Sequence, residues 1–187
     1  MKTPLLETER LILRPVSLED APAIQKHFNN WNIIKNLTHA VPWPYPDDGA
    51  ETFLRELALP NVDAGHAHIW TLSLKEGNGE AIGLIDYHEN RTSESGGNRG
   101  FWLAETYWRN GYMSEAIISV QDWLFFTKGI TKMIVVNAES NEGSRRVKEK
   151  TGAKLIGQSS LLHHNGISNT QIWEITAKSW KEFRETL

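Results

Sequence analysis

The stretch RGFWLAETYWRNGYMSEAIISV, residues 99–120, changes its hydrophobic period halfway along. Arg99 to Ala104 reads as a strand, the residues around Trp108–Met113 as a turn, and Ser114 onward as a helix. Its apolar positions Ala116, Ile117, Val120, Trp123 and Leu124 share one face. A strand–turn–helix with Gly111 in the turn leaves backbone N–H groups free at a helix N-terminus, where the helix dipole adds to their pull on an anion. Gly111 has no Cβ to hold phosphate oxygens away from the main chain, and Arg109 adds a fixed charge beside it. Two readings stand at this point: a cradle for phosphate or pyrophosphate, or a turn and nothing more. The commoner phosphate fingerprints, G-x-x-x-x-G-K-[ST] and G-x-G-x-x-G, are absent, which removes the usual support for ATP hydrolysis and dinucleotide redox chemistry.

Outward from this stretch the pattern mixes strands and helices. ERLILRPV predicts a first strand with Leu11 and Leu13 on one face, and SLEDAPAIQKHF a helix that Ser17 and Asp20 can box. A short helical piece follows at Trp31 to Lys35, then DDGAETFLRELALP as a helix ended by Pro60. HIWTLSL and AIGLIDYH predict two strands about the turn KEGNGE, and ENRTSESGGN a polar loop. KMIVVNA has the continuous apolar pattern of a strand buried on both faces. EGSRRVKEKTG predicts a basic helix closed by Gly152, KLIGQSSLL and TQIWEIT two late strands, and AKSWKEFRETL a terminal helix. The order predicts an α+β layered domain on a central sheet, one domain over 1–187.

The 187 residues are 40% hydrophobic and 23% charged, with a net charge of −3, which argues against a general nucleic-acid binder. There is no cysteine, which excludes a disulfide scaffold, a cysteine nucleophile and a cysteine zinc site. Seven histidines show no metal-ligand spacing, and the adjacent His163 and His164 would point to opposite faces of a strand, so no metal is expected. Glu7, Glu9 and Arg10 interrupt any signal-peptide run, and no stretch is apolar enough to span a bilayer; a cytoplasmic protein is expected, and the two N-x-T sequons at Asn36 and Asn90 are read as chance. The stiff stretch VPWPYPDD, residues 41–48, fits an aromatic wall of a substrate site formed by Trp43 and Tyr45, or a loop whose aromatics cap the core.

RGFWLAETYWRNGYMSEAI, followed by NAESNEGSRRVKEKTGAKLIG and preceded by LLETERLILRPVSLEDA, resembles the GNAT family of acetyl-CoA-dependent N-acetyltransferases, in particular the RimJ/RimL-type branch that acetylates ribosomal-protein N-termini. The similarity runs from Leu5 to about Trp173. Two positions depart from the family's Q/R-x-x-G-x-G/A motif: Trp108 stands at the first place and Met113 at the last, and neither removes a backbone donor. The resemblance implies a mostly antiparallel sheet flanked by helices and splayed at the coenzyme site. It implies that main-chain N–H groups of Arg109, Asn110, Gly111, Tyr112, Met113 and Ser114 hold the coenzyme A pyrophosphate, with Asn141 a further coenzyme contact.

Direct acyl transfer needs a polarised carbonyl, a neutral amine and a protonated leaving thiolate. By the resemblance, a main-chain N–H of Leu103 or Ala104 serves the carbonyl. The tyrosine that the wider family uses on the thiolate is missing; Lys148 stands in its place. Ser144 matches the serine proposed for that role in the RimL-like branch, and as a small polar residue it also fits a helix cap. Glu105, His88 and Asp86 are the candidate bases, Glu105 first among them, and His88 also a candidate substrate contact. The expected acceptor is a primary amine, on a protein N-terminus or a small molecule, and the expected state a monomer or homodimer. The alternatives are a non-catalytic acyl-CoA-binding module, suggested by the missing tyrosine, and a phosphate-anchored protein for another nucleotide.

Overall fold

Alternation in LILRP buries Leu11 and Leu13 completely, and a computed structural model shows what they are buried against. It describes residues 1–94, 97–166 and 169–187; residues 95 and 96 of the expected polar loop lie outside these. Strands β1 (Leu6–Glu7), β2 (Leu11–Pro15), β3 (Ala67–Leu74), β4 (Gly83–His88) and β5 (Arg99–Leu103) form an antiparallel sheet in that order. β6 (Lys132–Ala138), β8 (Asn169–Thr176) and β7 (Lys154–Ser160) form a second antiparallel sheet, with β8 in the middle.

The expected single sheet is therefore two, and their junction explains the splay. Gly97 bridges to Val135, and its φ of 77° and the 2.9 Å that a Cβ would leave to Ile134 O make glycine necessary there. Asn98 completes the joint. Its N–H donates to Ile134 O at 2.7 Å, its Oδ1 accepts from Ile134 N at 2.8 Å, and its Nδ2 donates to His88 O and Arg91 O at 3.0 and 2.8 Å. Past this joint β5 and β6 belong to separate sheets, and a cleft opens between them.

Helices α1 (Ala21–Phe28), α2 (Trp31–Ile34), α3 (Gly49–Thr52) and α4 (Leu59–Asp63) pack against one face of the first sheet, where Ile24, Phe28, Ile34 and Leu54 meet Ile69 and Leu84. The helix expected to end at Pro60 continues to Asp63. A π-helical turn over Phe53–Ala58 widens the backbone just before the proline, and a residue with no N–H to donate to the i−4 carbonyl is accommodated. Helices α5 (Tyr112–Asp122), α6 (Glu142–Lys150) and α7 (Ala177–Arg184) cover the other face. There Met113, Ile117 and Val120 pack with Trp70, Leu72, Val135 and Trp180. KMIVVNA is buried on one side alone: Met133 and Val135 are buried, whereas Ile134 and Val136 are partly open, because Val136 faces the cleft. Among the described residues no helix is long and apolar enough to cross a membrane.

Candidate active site

A cleft of about 1470 Å³ runs between β5 and β6 and beneath α2 and the 41–48 loop. One end is the Gly111 turn. Gly111 caps α5 with φ 81°, and Arg109 also adopts positive φ, 64°, so the chain curls to bring successive amides to one side. Glu115 is the residue whose N–H reaches back to Gly111 O, at 3.1 Å; the N–H groups of Tyr112, Met113 and Ser114 ahead of it have no acceptor within the helix. Arg109, Gly111, Tyr112, Met113 and Ser114 all line the cleft. Asn110 does not: its Nδ2 donates to Trp108 O and Tyr107 O at 3.0 and 3.2 Å, bracing the turn from behind.

At the end of β5 the amides of Leu103 and Ala104 face opposite ways. Ala104 N–H donates to Ile82 O at 2.8 Å, pointing into the first sheet, and Ala104 does not line the cleft. Its expected part in holding acetyl-CoA is corrected on that ground. Alternation turns the amide of Leu103 the other way, toward the open edge. Leu103 lines the cleft, and its carbonyl on that same edge accepts Trp108 Nε1 at 2.7 Å, which ties the turn to the strand.

Across the cleft, Asn141 caps α6, its Oδ1 accepting Ser144 N at 3.0 Å. Ser144 is thus the capped residue and not the cap. Its Oγ accepts from Lys148 Nζ at 2.7 Å, and both side chains line the cleft.

The three candidate bases separate. Glu105 is exposed and outside the cleft wall, and its carboxylate already accepts Asn30 Nδ2 at 2.7 Å and Asn32 Nδ2 at 2.9 Å. His88 faces a neighbouring cavity of about 230 Å³ with Asn61, His66, Asn90 and Arg91, so it is no direct acceptor contact in the main cleft. Burial draws its imidazole below the usual histidine range, opposed by Asp86. Asp86 does line the cleft; its Oδ1 accepts Gly100 N at 2.8 Å, with His88 Nε2 behind it at 3.7 Å.

Tyr45 and Trp43 separate too. Tyr45 is buried and lines the cleft, edge-on to Phe28 at 5.2 Å, and Phe28 is in turn 5.2 Å from Trp102. Trp43 is 39% exposed, lies outside the wall and rests on Trp31 at 5.1 Å. The segment from Lys35 to Val41 is held by the chain near His164: His164 N donates to Leu37 O, Asn165 N to Lys35 O, and His164 Nε2 sits 2.7 Å from Val41 O.

Two polar residues of this region were not singled out from the sequence. Arg99 is 3% exposed, bonds Gln121 Oε1 of α5 and leaves Nε and Nη2 without partners. Gln121 is fully buried and donates to Thr151 O at 3.0 Å. The signal was a charge at the head of an apolar strand and an amide on an apolar helical face. Among the described residues no group of three or more acidic or imidazole side chains could hold a metal ion.

Residues 10–154 match the acetyltransferase (GNAT) domain model. The chain is similar to the uncharacterized N-acetyltransferase YoaA of Bacillus subtilis, 26% identical over 179 residues that cover 92% of this chain and 96% of that one. Among solved structures it is similar to the ribosomal-protein-S5-alanine acetyltransferase of Vibrio fischeri, with TM-score 0.78, 19% identity, and 95% of this chain and 98% of that chain covered. It is also similar to Mycobacterium smegmatis RimJ in complex with CoA-disulfide, with TM-score 0.77, 15% identity, and 97% and 93% covered.

Proposed function

This chain belongs to the GNAT acetyltransferase family, and from that premise we propose that it transfers the acetyl group of acetyl-CoA directly to a primary amine and releases coenzyme A. The observation that carries the proposal is the Gly111 turn: amides of Tyr112, Met113 and Ser114 without helical acceptors, at the mouth of a cleft that Ser144 also lines. The relative from Mycobacterium smegmatis, solved with a CoA-disulfide, supports the coenzyme part of this reading.

In this reading the pyrophosphate lies on the turn and the thioester reaches the opening between β5 and β6. Leu103 N–H polarises the thioester carbonyl. Asp86, the one of the three candidate bases that lines the cleft, takes the amine proton, and Ser144 gives a proton to the departing thiolate. Tyr45, Phe28 and Trp102 shape the acceptor side. The acceptor is a protein N-terminus or a small-molecule amine; the Vibrio fischeri relative is named for a ribosomal-protein alanine. The protein works as one domain in the cytoplasm, a monomer or homodimer without nucleic acid.

The test is calorimetric titration of acetyl-CoA into the wild type and into Gly111→Pro, then thiol release with a panel of amines. Proline cannot adopt φ 81° and removes an amide, so the variant should lose binding that the wild type shows. A wild type that does not bind overturns the reading. Binding without thiol release for any amine points instead to an acyl-CoA-binding regulatory module.

A further inference from the structure

Lys148 is 2% exposed, on a helix whose neighbouring charges are at the surface. On α6 itself Arg145 pairs with Glu149 at 4.0 Å and Arg146 with Glu142 at 3.5 Å, all four well exposed. Lys148 instead turns inward. Its ammonium donates to Ser144 Oγ at 2.7 Å and stands 5.5 Å from the ring centroid of Phe101 on β5. Among the described residues no carboxylate pairs with it. From β5 the charge that acts on it is a second buried cation, Arg99, with Asp86 of β4 acting on Arg99 in turn; from α5 the neutral Gln121 bonds Arg99 and Thr151. A structural lysine would pair with a carboxylate or extend its head to water. Lys148 does neither: among the described residues the one hydrogen bond its ammonium makes is to the serine in the cleft.

We propose that Lys148 is the proton reservoir behind Ser144, a positioning residue that acts through the serine hydroxyl when the coenzyme A thiolate leaves. The inference rests on the acetyltransferase reading, with Ser144 beside the thioester sulfur. When the C–S bond breaks, its electron pair goes to sulfur. Ser144 Oγ–H passes its proton to the thiolate, and the Lys148 ammonium replaces the serine proton. The neutral lysine amine takes a proton from water once product has gone, while the proton shed by the acceptor amine leaves through the base. Burial, reinforced by Arg99, pulls the Lys148 ammonium well below the usual lysine range, so it gives up its proton more readily than a surface lysine. The anionic coenzyme brings negative charge into the cleft and restores the charged form before the step.

The experiment is the pH profile of kcat for acetyl-CoA-dependent thiol release in the wild type, Lys148→Met and Lys148→Arg, with acetyl-CoA affinity measured by calorimetry. Methionine keeps length without charge; arginine keeps charge without a proton to give. The expected result is a fall of kcat on the alkaline side in the wild type that both variants lack, a kcat lowered on the order of 10²-fold in each, and an acetyl-CoA affinity that falls far less than kcat does. Wild-type kcat and an unaltered profile in the variants overturn the inference, as does a loss confined to affinity. If the methionine variant does not fold, the arginine variant decides. A wild type that releases no thiol overturns the acetyltransferase reading and this inference together; turnover with unaltered variants overturns this inference alone.

Discussion

The Glu115 carboxylate, in the first turn of α5, is held by Arg10, 105 residues earlier in the chain. Oε2 accepts Arg10 Nε at 2.7 Å, and Oε1 accepts Arg10 N at 2.9 Å and Thr8 Oγ1 at 2.6 Å. The same guanidinium donates Nη1 to Asn110 O at 3.0 Å and lies 4.5 Å over the Tyr112 ring. The N-terminal strap therefore fixes the Gly111 turn, which is proposed to hold the coenzyme. Glu115→Ala is expected to weaken acetyl-CoA binding several-fold by calorimetry and to lower the urea midpoint while the chain still folds; an unchanged affinity would detach the strap from the site. Burial raises the Glu115 carboxyl, but the hydrogen bonds from Thr8 and Arg10 outweigh it and hold it below the ordinary 4.5. A carboxylate lowered in the fold stabilises above its unfolded pKa and loses that contribution as pH falls through the folded value. Wild-type affinity should therefore decline in acid below pH 4.5, and Glu115→Ala should show less of that decline.

His68 on β3 sets a second acid sensitivity, this one of the fold. It is 2% exposed, with Nδ1 3.1 Å from Thr3 Oγ1, Nε2 without a partner and its ring edge-on to Trp123 at 4.8 Å. Burial, with Lys128 adding to it, lowers its pKa from 6.5 to about 4. Between those values the unfolded chain binds a proton that the folded chain does not, so stability falls as pH drops from 6.5 toward about 4. Urea midpoints across that range should slope less in His68→Phe than in the wild type. An equal slope in the variant would place the acid sensitivity elsewhere.

Asn98 is the residue on which the two sheets are joined, and its side-chain amide bonds His88, Arg91 and Ile134. Asn98→Ala strands Ile134 N–H and the carbonyls of His88 and Arg91 in a buried place. The expected loss is about 2–4 kcal/mol by urea denaturation, with the fall in acetyl-CoA affinity that a loosened cleft implies. A loss below about 0.5 kcal/mol would show that the joint relaxes onto water.

What the sequence made legible follows from which signals are local. The period switch across 99–120 and the apolar face of α5 are short-range properties, and they appear as read. Pro60 misled because the widened turn over Phe53–Ala58 depends on how that helix packs, which no single residue announces. The two-sheet split was hidden for the same reason: Gly97 and Asn98 look like ordinary loop residues until Ile134, far along the chain, lies against them. Within the site, the Gly111 turn is visible in the sequence because a local strand-to-helix change marks it, whereas Ser144 is singled out by the family resemblance alone. Placing Glu105 ahead of His88 and Asp86 has no local signal behind it, since their order depends on which strand face meets the cleft. Arg99, Gln121 and Lys148 form a layer whose members come from β5, α5 and α6, and only the fold puts them together.

The 41–48 loop supplies the last prediction, because its two aromatic residues have parted company. Tyr45 is buried in the cleft wall against Phe28, and a Cβ at Gly49 would approach its ring to 2.8 Å, so the ring is fixed on both sides. Trp43 lies outside the wall and rests on Trp31, which lies outside it too. If the wall binds the acceptor, Tyr45→Ala should raise the acceptor KM on the order of tenfold or more, the size expected for a buried aromatic anchor. It should leave acetyl-CoA affinity as it was, since the coenzyme turn is built from other elements. Trp43→Ala should raise the same KM less, by way of a loosened Trp31. Tyr45→Phe separates the two contributions of the ring: burial holds the phenol near 12, so it stays protonated and can donate to an acceptor carbonyl. A wild-type KM in Tyr45→Phe assigns the effect to shape; a KM like that of Tyr45→Ala assigns it to the hydroxyl. Equal and unaltered KM values in all three variants would remove this loop from the acceptor site.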